Sequence, residues 1–310
     1  MNTPTKVAGF VTALAAVFAL TLGIGNAFGP DAEPAEAHDA HGADESKTTQ
    51  PASADSAEIP GGMMISQNGY TLALSKPEAP AGSDVPVAFT ITGPDGEAVT
   101  DYDVEHEKQL HLIAVRRDFT GFQHVHPELA PDGTWSIGLD LTPGQWRLFA
   151  DFKATDADAL TLGADLVVPG DYEPAERSEE TRTAQVDGYT VNLDGNLTAG
   201  ADAKLTLEVE RNGKPVTDLE PYLGAYGHLV ALRSGDLAYL HVHPDGAPGD
   251  GTTQPGPDVV FHTAVPSAGT YHLYLDFKHQ GVVRTAAFTV KVAGTAAPAA
   301  DDSGDDHTSH

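Results

Sequence analysis

Cysteine is absent from the 310 residues. No disulfide, thiolate metal site or cysteine nucleophile is therefore open to the chain, and any metal ligands must be nitrogen or oxygen, with Met63 and Met64 as the thioethers nearest the fold. Cationic side chains are scarce too, 17 Lys and Arg against 45 Asp and Glu, for a formal net charge of −28 at pH 7. A field of that sign repels phosphate backbones and attracts cations, so neither nucleic acid nor an anionic membrane surface is expected as a partner. No helical period of useful length runs through the main part of the chain. Neither His-Glu-x-x-His nor Gly-x-Ser-x-Gly occurs, and without these signatures of zinc hydrolysis and acyl transfer an enzyme is not expected.

What the chain does have is histidine, 14 in all, and a duplication. Tyr239-Leu240-His241-Val242-His243-Pro244 nearly repeats Phe122-Gln123-His124-Val125-His126-Pro127. A further histidine, His111 in the first copy and His228 in the second, stands 13 residues before each pair. The duplication extends in both directions. Gly69-Tyr70-Thr71-Leu72-Ala73-Leu74 matches Gly188-Tyr189-Thr190-Val191-Asn192-Leu193, and the run beginning Gly144-Gln145-Trp146 matches the one beginning Gly269-Thr270-Tyr271. Short alternating runs separated by Gly- and Pro-bearing turns predict strands without helices. The expected fold class is all-β, two tandem immunoglobulin-like β-sandwich domains over residues 61–170 and 184–293, joined by a linker at 171–183. The second copy carries a Gly- and Pro-rich insertion, residues 247–256, that reads as a mobile loop after its histidine pair.

Outside the repeats, residues 1–28 contain one cation, Lys6, and then a long apolar run, which reads as a signal peptide or an uncleaved membrane anchor. Residues 29–60 form an acidic segment too poor in bulky apolar side chains to fold, a disordered tether holding His38 and His41. A similar tail, 294–310, ends with His307 and His310. The expected location is extracytoplasmic, secreted or held at the cell membrane.

Within a strand, alternate side chains share a face, so His124 and His126 project together, as do His241 and His243. A hairpin that reverses at 116–121 brings His111 across from the first pair if the register places them on one face; a reversal at Arg233-Ser234-Gly235-Asp236 does the same for His228. Each repeat is thus expected to hold a three-histidine site, His111, His124 and His126 in one and His228, His241 and His243 in the other. Asp151 and Asp276 occupy equivalent late-strand positions and are the acidic partners expected beside them. Neutral imidazole suits Cu(II), Zn(II) or Ni(II). His106, His262, His272 and His279 lack counterparts in the other copy and read as surface or core residues, His272 being the best of them for an extra ligand. The Met63-Met64 pair reads as a hydrophobic plug.

With its export segment, its sandwich pattern and its strand-borne His-x-His elements at His124/His126 and His241/His243, the chain over residues 60–293 resembles bacterial immunoglobulin-like copper-handling proteins of the CopC and YtkA kind. In the CopC type a histidine at the mature N-terminus begins the first strand, whereas here a tether separates His38 from Tyr70. The resemblance implies an extracytoplasmic protein that binds a divalent transition metal, Cu(II) favoured over Zn(II), with a membrane metal transporter as a possible partner. The alternative is a non-catalytic interaction or adhesion module whose histidines are structural.

Overall fold

The computed structural model describes residues 59–176, 179–240 and 242–294. The export segment, most of the tether, the tail and His241 lie outside the described residues. Repeat one contributes β1 (Ser66–Gln67), β2 (Tyr70–Leu74), β3 (Gly82–Thr92), β4 (Leu110–Arg116), β5 (Gln123–Val125), β6 (Glu128–Leu129), β7 (Thr134–Leu141), β8 (Gly144–Phe152) and β9 (Leu160–Val168). Repeat two contributes β10 (Thr183–Val186), β11 (Tyr189–Asp194), β12 (Asp202–Arg211), β13 (Lys214–Pro215), β14 (His228–Arg233), β15 (Tyr239–Leu240), β16 (Val242–Pro244), β17 (Asp258–Ala264), β18 (Gly269–His279) and β19 (Val282–Val292). Among the described residues there is no helix.

Each repeat is a two-sheet sandwich of the immunoglobulin-like kind. In repeat one, β1-β2-β3-β7-β6 faces β5-β4-β8-β9; in repeat two, β10-β11-β12-β17-β16 faces β15-β14-β18-β19. The outer sheets show the alternation of a half-buried strand. Along β3, Val85, Val87, Phe89 and Ile91 turn inward, and along β12, Ala203, Leu205, Leu207 and Val209 do so. Water covers the other face, so polar side chains occupy the positions between.

The inner sheets are built differently. β4 reads Leu-His-Leu-Ile-Ala-Val-Arg, and its first six residues are all buried; β14 buries four consecutive apolar residues, Leu229 to Leu232. Such runs require cover on both faces. On one face Leu112 and Ala114 join the core of repeat one. From the other, Ile113, Val115 and Phe149 pack with Val230, Leu232, Leu237 and Tyr274 of repeat two in a core of their own. Phe122 stacks on Tyr274 at 4.0 Å between ring centroids, and the Tyr274 hydroxyl donates to the Phe119 carbonyl at 2.8 Å. The two sandwiches are therefore docked inner sheet to inner sheet.

The 247–256 insertion is tied down rather than loose in one place: the Asp250 carboxylate accepts from the backbone N–H groups of Ala247, Thr252 and Thr253 and from both threonine hydroxyls. Met63 is half-buried and Met64 is 41% exposed, so the methionine pair does not form the plug that its sequence suggests. The glycine beside them does the packing. Gly62 lies against the Phe149 ring, where a Cβ would meet Phe149 Cδ1.

Phe149 is fully buried in the shared core. Phe149→Ala is expected to cost about 3–5 kcal/mol, the range for emptying a packed aromatic site. Urea unfolding checks this. A loss below about 1 kcal/mol would mean that the inter-repeat core adds little to stability.

Candidate functional site

The register of the first hairpin decides where its histidines go. β4 pairs with β5 through Leu112 with Val125, Ile113 with His124 and Ala114 with Gln123. His124 thus shares a face with Ile113 and hence with His111, and this face is the one directed at repeat two. His126 follows two residues later on the same side. Among the described residues, His111, His124 and His126 form a group with all ligand atoms within 4.8 Å of one another.

Fixed hydrogen bonds determine which nitrogens point inward. A tight turn at Glu105-His106-Glu107-Lys108, with positive φ at His106 and Glu107, brings the Glu105 carbonyl 3.1 Å from His111 Nε2. A carbonyl cannot donate, so Nε2 carries the proton and Nδ1 presents a lone pair. His124 Nδ1 lies 2.8 Å from the Asp276 carboxylate of repeat two, so it is Nδ1 that carries the proton and, in the neutral ring, Nε2 that is bare. These two bare nitrogens, His111 Nδ1 and His124 Nε2, stand 3.1 Å apart, and His126 Nε2 is 3.2 Å from His111 Nδ1. Lone pairs facing at this distance repel, and one positive charge relieves the contact. That charge can be a proton on His124 or a metal ion between the rings.

The surroundings favour the neutral form of His111, His126 and His228. Burial is the main cause that lowers the pKa of His111 to about 3, of His126 to about 3 and of His228 to about 4, with the His124 ring pushing all three the same way. Neutral imidazole is the ligand form.

Repeat two closes the site from the other side. β14 pairs with β18 so that His228 lies opposite Asp276, just as His111 lies opposite Asp151 between β4 and β8. Asp276 is 2% exposed and accepts from Thr285 Oγ1 at 2.5 Å as well as from His124. Asp151 accepts from Thr161 Oγ1 at 2.9 Å, and the Tyr239 hydroxyl of repeat two hydrogen-bonds it. Each aspartate is thus held by its own sheet's threonine and by a side chain from the other repeat. His228 Nε2 donates to the Leu223 carbonyl at 3.0 Å, leaving Nδ1 bare in the neutral ring. Its ring lies 6.2 Å from that of His111 and 6.0 Å from that of His124. Tyr222 borders His126 and His228 at 6.4 and 6.2 Å. A cavity of about 60 Å³ remains, lined by His106, His111, His124, Asp151 and His228 among others.

The second expected triad does not assemble among the described residues. His228 lies with the histidines of repeat one. His243 leaves the inner sheet altogether: after Leu240 the chain crosses to the outer sheet, where Val242, His243 and Pro244 pair with Thr263, His262 and Phe261. His243 is exposed there, yet it still borders the cavity lined by His111, His124 and His228. In repeat one the same crossing comes later, between Val125 and Glu128, which is why His124 stays inside and His126 stays beside it. His241 lies outside the described residues.

Of the histidines set aside on sequence grounds, His106 is the one the fold brings in, its ring 5.1 Å from that of His228. No spacing signal marks it; the tight turn before β4 carries it there. His272 shares a strand with Asp276 but sits at the far end of the interface, stacked on Phe119 at 3.8 Å and hydrogen-bonded to Ser234. It does not join the cluster. His279 is buried between Tyr189 and Asp218, and His262 is exposed beside Asp245 at 3.4 Å.

Because His111, His126 and His228 fold with depressed pKa values, the unfolded chain binds more protons than the folded one between about pH 6.5 and the folded values. Stability of the metal-free protein is therefore complete above about pH 6.5 and falls as pH drops toward 4. Urea midpoints between pH 7.5 and 4 measure it. An unchanged midpoint over that window would contradict buried neutral histidines.

No curated protein matches the sequence. Among solved structures, the chain is similar to the Escherichia coli adhesin FdeC, with 18% identity, 74% of this chain and 65% of that one covered and a TM-score of 0.25. It is likewise similar to the Yersinia pseudotuberculosis adhesin InvE, with 13% identity, coverage of 73% and 60% and a TM-score of 0.23. A DUF4426 family protein from Pseudomonas aeruginosa aligns with 36% of this chain and 96% of its own, at 10% identity and a TM-score of 0.26. The chain spans less than two thirds of either adhesin chain, and scores of this size place no function on it. The family match is of a different kind: one model matches residues 65–168 and again 184–294, once for each sandwich. The match shows no copper-handling family by name; the chain belongs to the family described as Domain of unknown function (DUF8832).

Proposed function

We propose that the protein binds a divalent transition-metal ion through His111 Nδ1, His124 Nε2 and His126 Nε2. One observation carries the reading: bare nitrogens of two differently anchored imidazoles face each other at 3.1 Å with a third ring nitrogen at 3.2 Å. Neighbouring ligand nitrogens at bonds of about 2.0–2.1 Å stand about 2.9 Å apart in a square shell and about 3.3 Å apart in a tetrahedral one. The two distances from His111 Nδ1, to His124 and to His126, lie between those limits. The Asp276 carboxylate on His124 Nδ1 supplies the outer partner that metal-bound histidines commonly have, and it fixes the tautomer.

Cu(II) is favoured over Zn(II), because a given nitrogen set binds Cu(II) more tightly. The role is to hold the ion rather than to turn over a substrate. The acidic chain draws cations toward the site, and the N-terminal segment supports a place outside the cytoplasm, with a membrane metal transporter as the partner that would deliver or receive the ion. Instead of one site per repeat, the reading places a single centre where the repeats meet.

The second reading is a non-catalytic interaction or adhesion module. It draws support from the architecture, tandem immunoglobulin-like sandwiches rigidly docked through a shared core, and it assigns the positive charge in the cluster to a proton on His124.

Metal titration separates the two. With Cu(II) at a hundredfold excess over Kd the folded state gains about 2.7 kcal/mol, a clear rise in Tm. One equivalent of copper should survive gel filtration, be lost in His124→Ala/His126→Ala, and be kept in His243→Ala. Absence of bound copper and zinc together with an unchanged Tm would leave the interaction module standing.

A further inference from the structure

We infer that His228 supplies the fourth ligand from repeat two, so that an ion in this site clasps the two repeats and its binding is coupled to their docking. The inference rests on the metal reading and adds to it. The three rings of repeat one are already at ligand spacing: their centroids lie 5.3, 5.0 and 5.0 Å apart, against about 4.5–5.2 Å for neighbouring imidazoles on one ion. His228 stands 6.0 and 6.2 Å from His124 and His111, about 1 Å beyond that spacing. Its proton is committed to the Leu223 carbonyl, so in the neutral ring Nδ1 keeps a lone pair that an ion can take.

The other groups near the cluster are less suited. Asp276 is engaged by His124 and Thr285, and Asp151 by Thr161 and Tyr239. His106 is exposed and belongs to repeat one. His228 alone combines partial burial, a bare nitrogen and an origin in the facing inner sheet. His228 lies outside the group whose ligand atoms fall within 4.8 Å of one another, so to reach the ion it must move inward, a movement that would draw β14 toward β4 and tighten the core formed by Ile113, Val115, Phe149, Val230 and Leu232. An ion that binds the closed arrangement better than the open one shifts the protein toward it. Copper binding and close docking of the repeats are then a single linked equilibrium.

The test uses the full chain loaded with one equivalent of Cu(II). Pulsed electron paramagnetic resonance counts the imidazoles coupled to the copper, and amide hydrogen exchange reports β4 and β14 with and without the ion. The wild type should show one imidazole more than His228→Ala, and copper should slow exchange in both strands in the wild type but only in β4 of the variant. His106→Ala should match the wild type in both. If His228→Ala does not fold, His228→Gln, which keeps a donor for the Leu223 carbonyl, takes its place. Equal imidazole counts in wild type and His228 variant would overturn the clasp while leaving the three-histidine site intact. Failure of the wild type to bind copper at all would overturn both.

Discussion

The buried contact between His124 and Asp276 is the constraint from which the rest of the site follows. Asp276 is a carboxylate at 2% exposure whose one ion-pairing partner among the described residues is His124, at 2.8 Å. A carboxylate removed from water to that degree must be compensated by donors and by nearby positive charge. Thr285 and the His124 N–H supply the donors. With its Nδ1–H donated in a hydrogen bond to Asp276, the neutral His124 ring has a bare Nε2, and this nitrogen faces another bare one on His111. The electrostatic demand of a single aspartate in repeat two is thus passed through one ring of repeat one to the centre of the cluster, the place where a metal ion would meet it under the proposed function.

That contact can exist only because the two sandwiches are packed together. Each inner sheet buries both faces, one in its own core and one against the other repeat. The histidines and aspartates stand where the apolar part of this shared face gives way to polar residues. His111 starts its face at the beginning of β4, followed by Ile113 and Val115; His228 starts the equivalent face of β14, followed by Val230 and Leu232. The apolar part supplies the association energy, and the polar end is held at fixed geometry as a result. Duplication followed by face-to-face docking also explains why equivalent residues from the two copies are neighbours here. The copies have since diverged: the inner-to-outer crossing comes before Val242 in one and after Val125 in the other, and this difference keeps His126 at the centre and puts His243 on the surface.

Much of this was legible in the chain. Alternation in the runs that became β3 and β12 identified half-buried strands, and the absence of a helical period identified an all-β fold. His111, His124 and His126 could be placed together because a hairpin allows few registers and one of them puts all three on one face. What escaped was everything that depends on the partner sheet. The uninterrupted apolar runs 112–115 and 229–232 carry the signal of docking, since a strand with one wet face alternates. Without the docking, the repeat pattern places His228 with its own repeat's histidines and Asp276 beside His228; the register keeps that second placement, and only the facing sheet adds His124 to Asp276. The change of sheet before His243 leaves no mark in a hexapeptide that is nearly the same in both copies. His106 is carried into the site by a tight turn with positive φ at a non-glycine residue, a conformation that composition does not announce.

Anomalous diffraction from crystals of the copper-loaded protein, with data collected on both sides of the copper absorption edge, tests the central claim most directly. The account predicts a single strong peak about 2.0–2.1 Å from His111 Nδ1, His124 Nε2 and His126 Nε2, with the Asp276 carboxylate still hydrogen-bonded to His124 Nδ1. A density map with no peak among these rings, or with its peak on the exposed His243 and His262 instead, would contradict it.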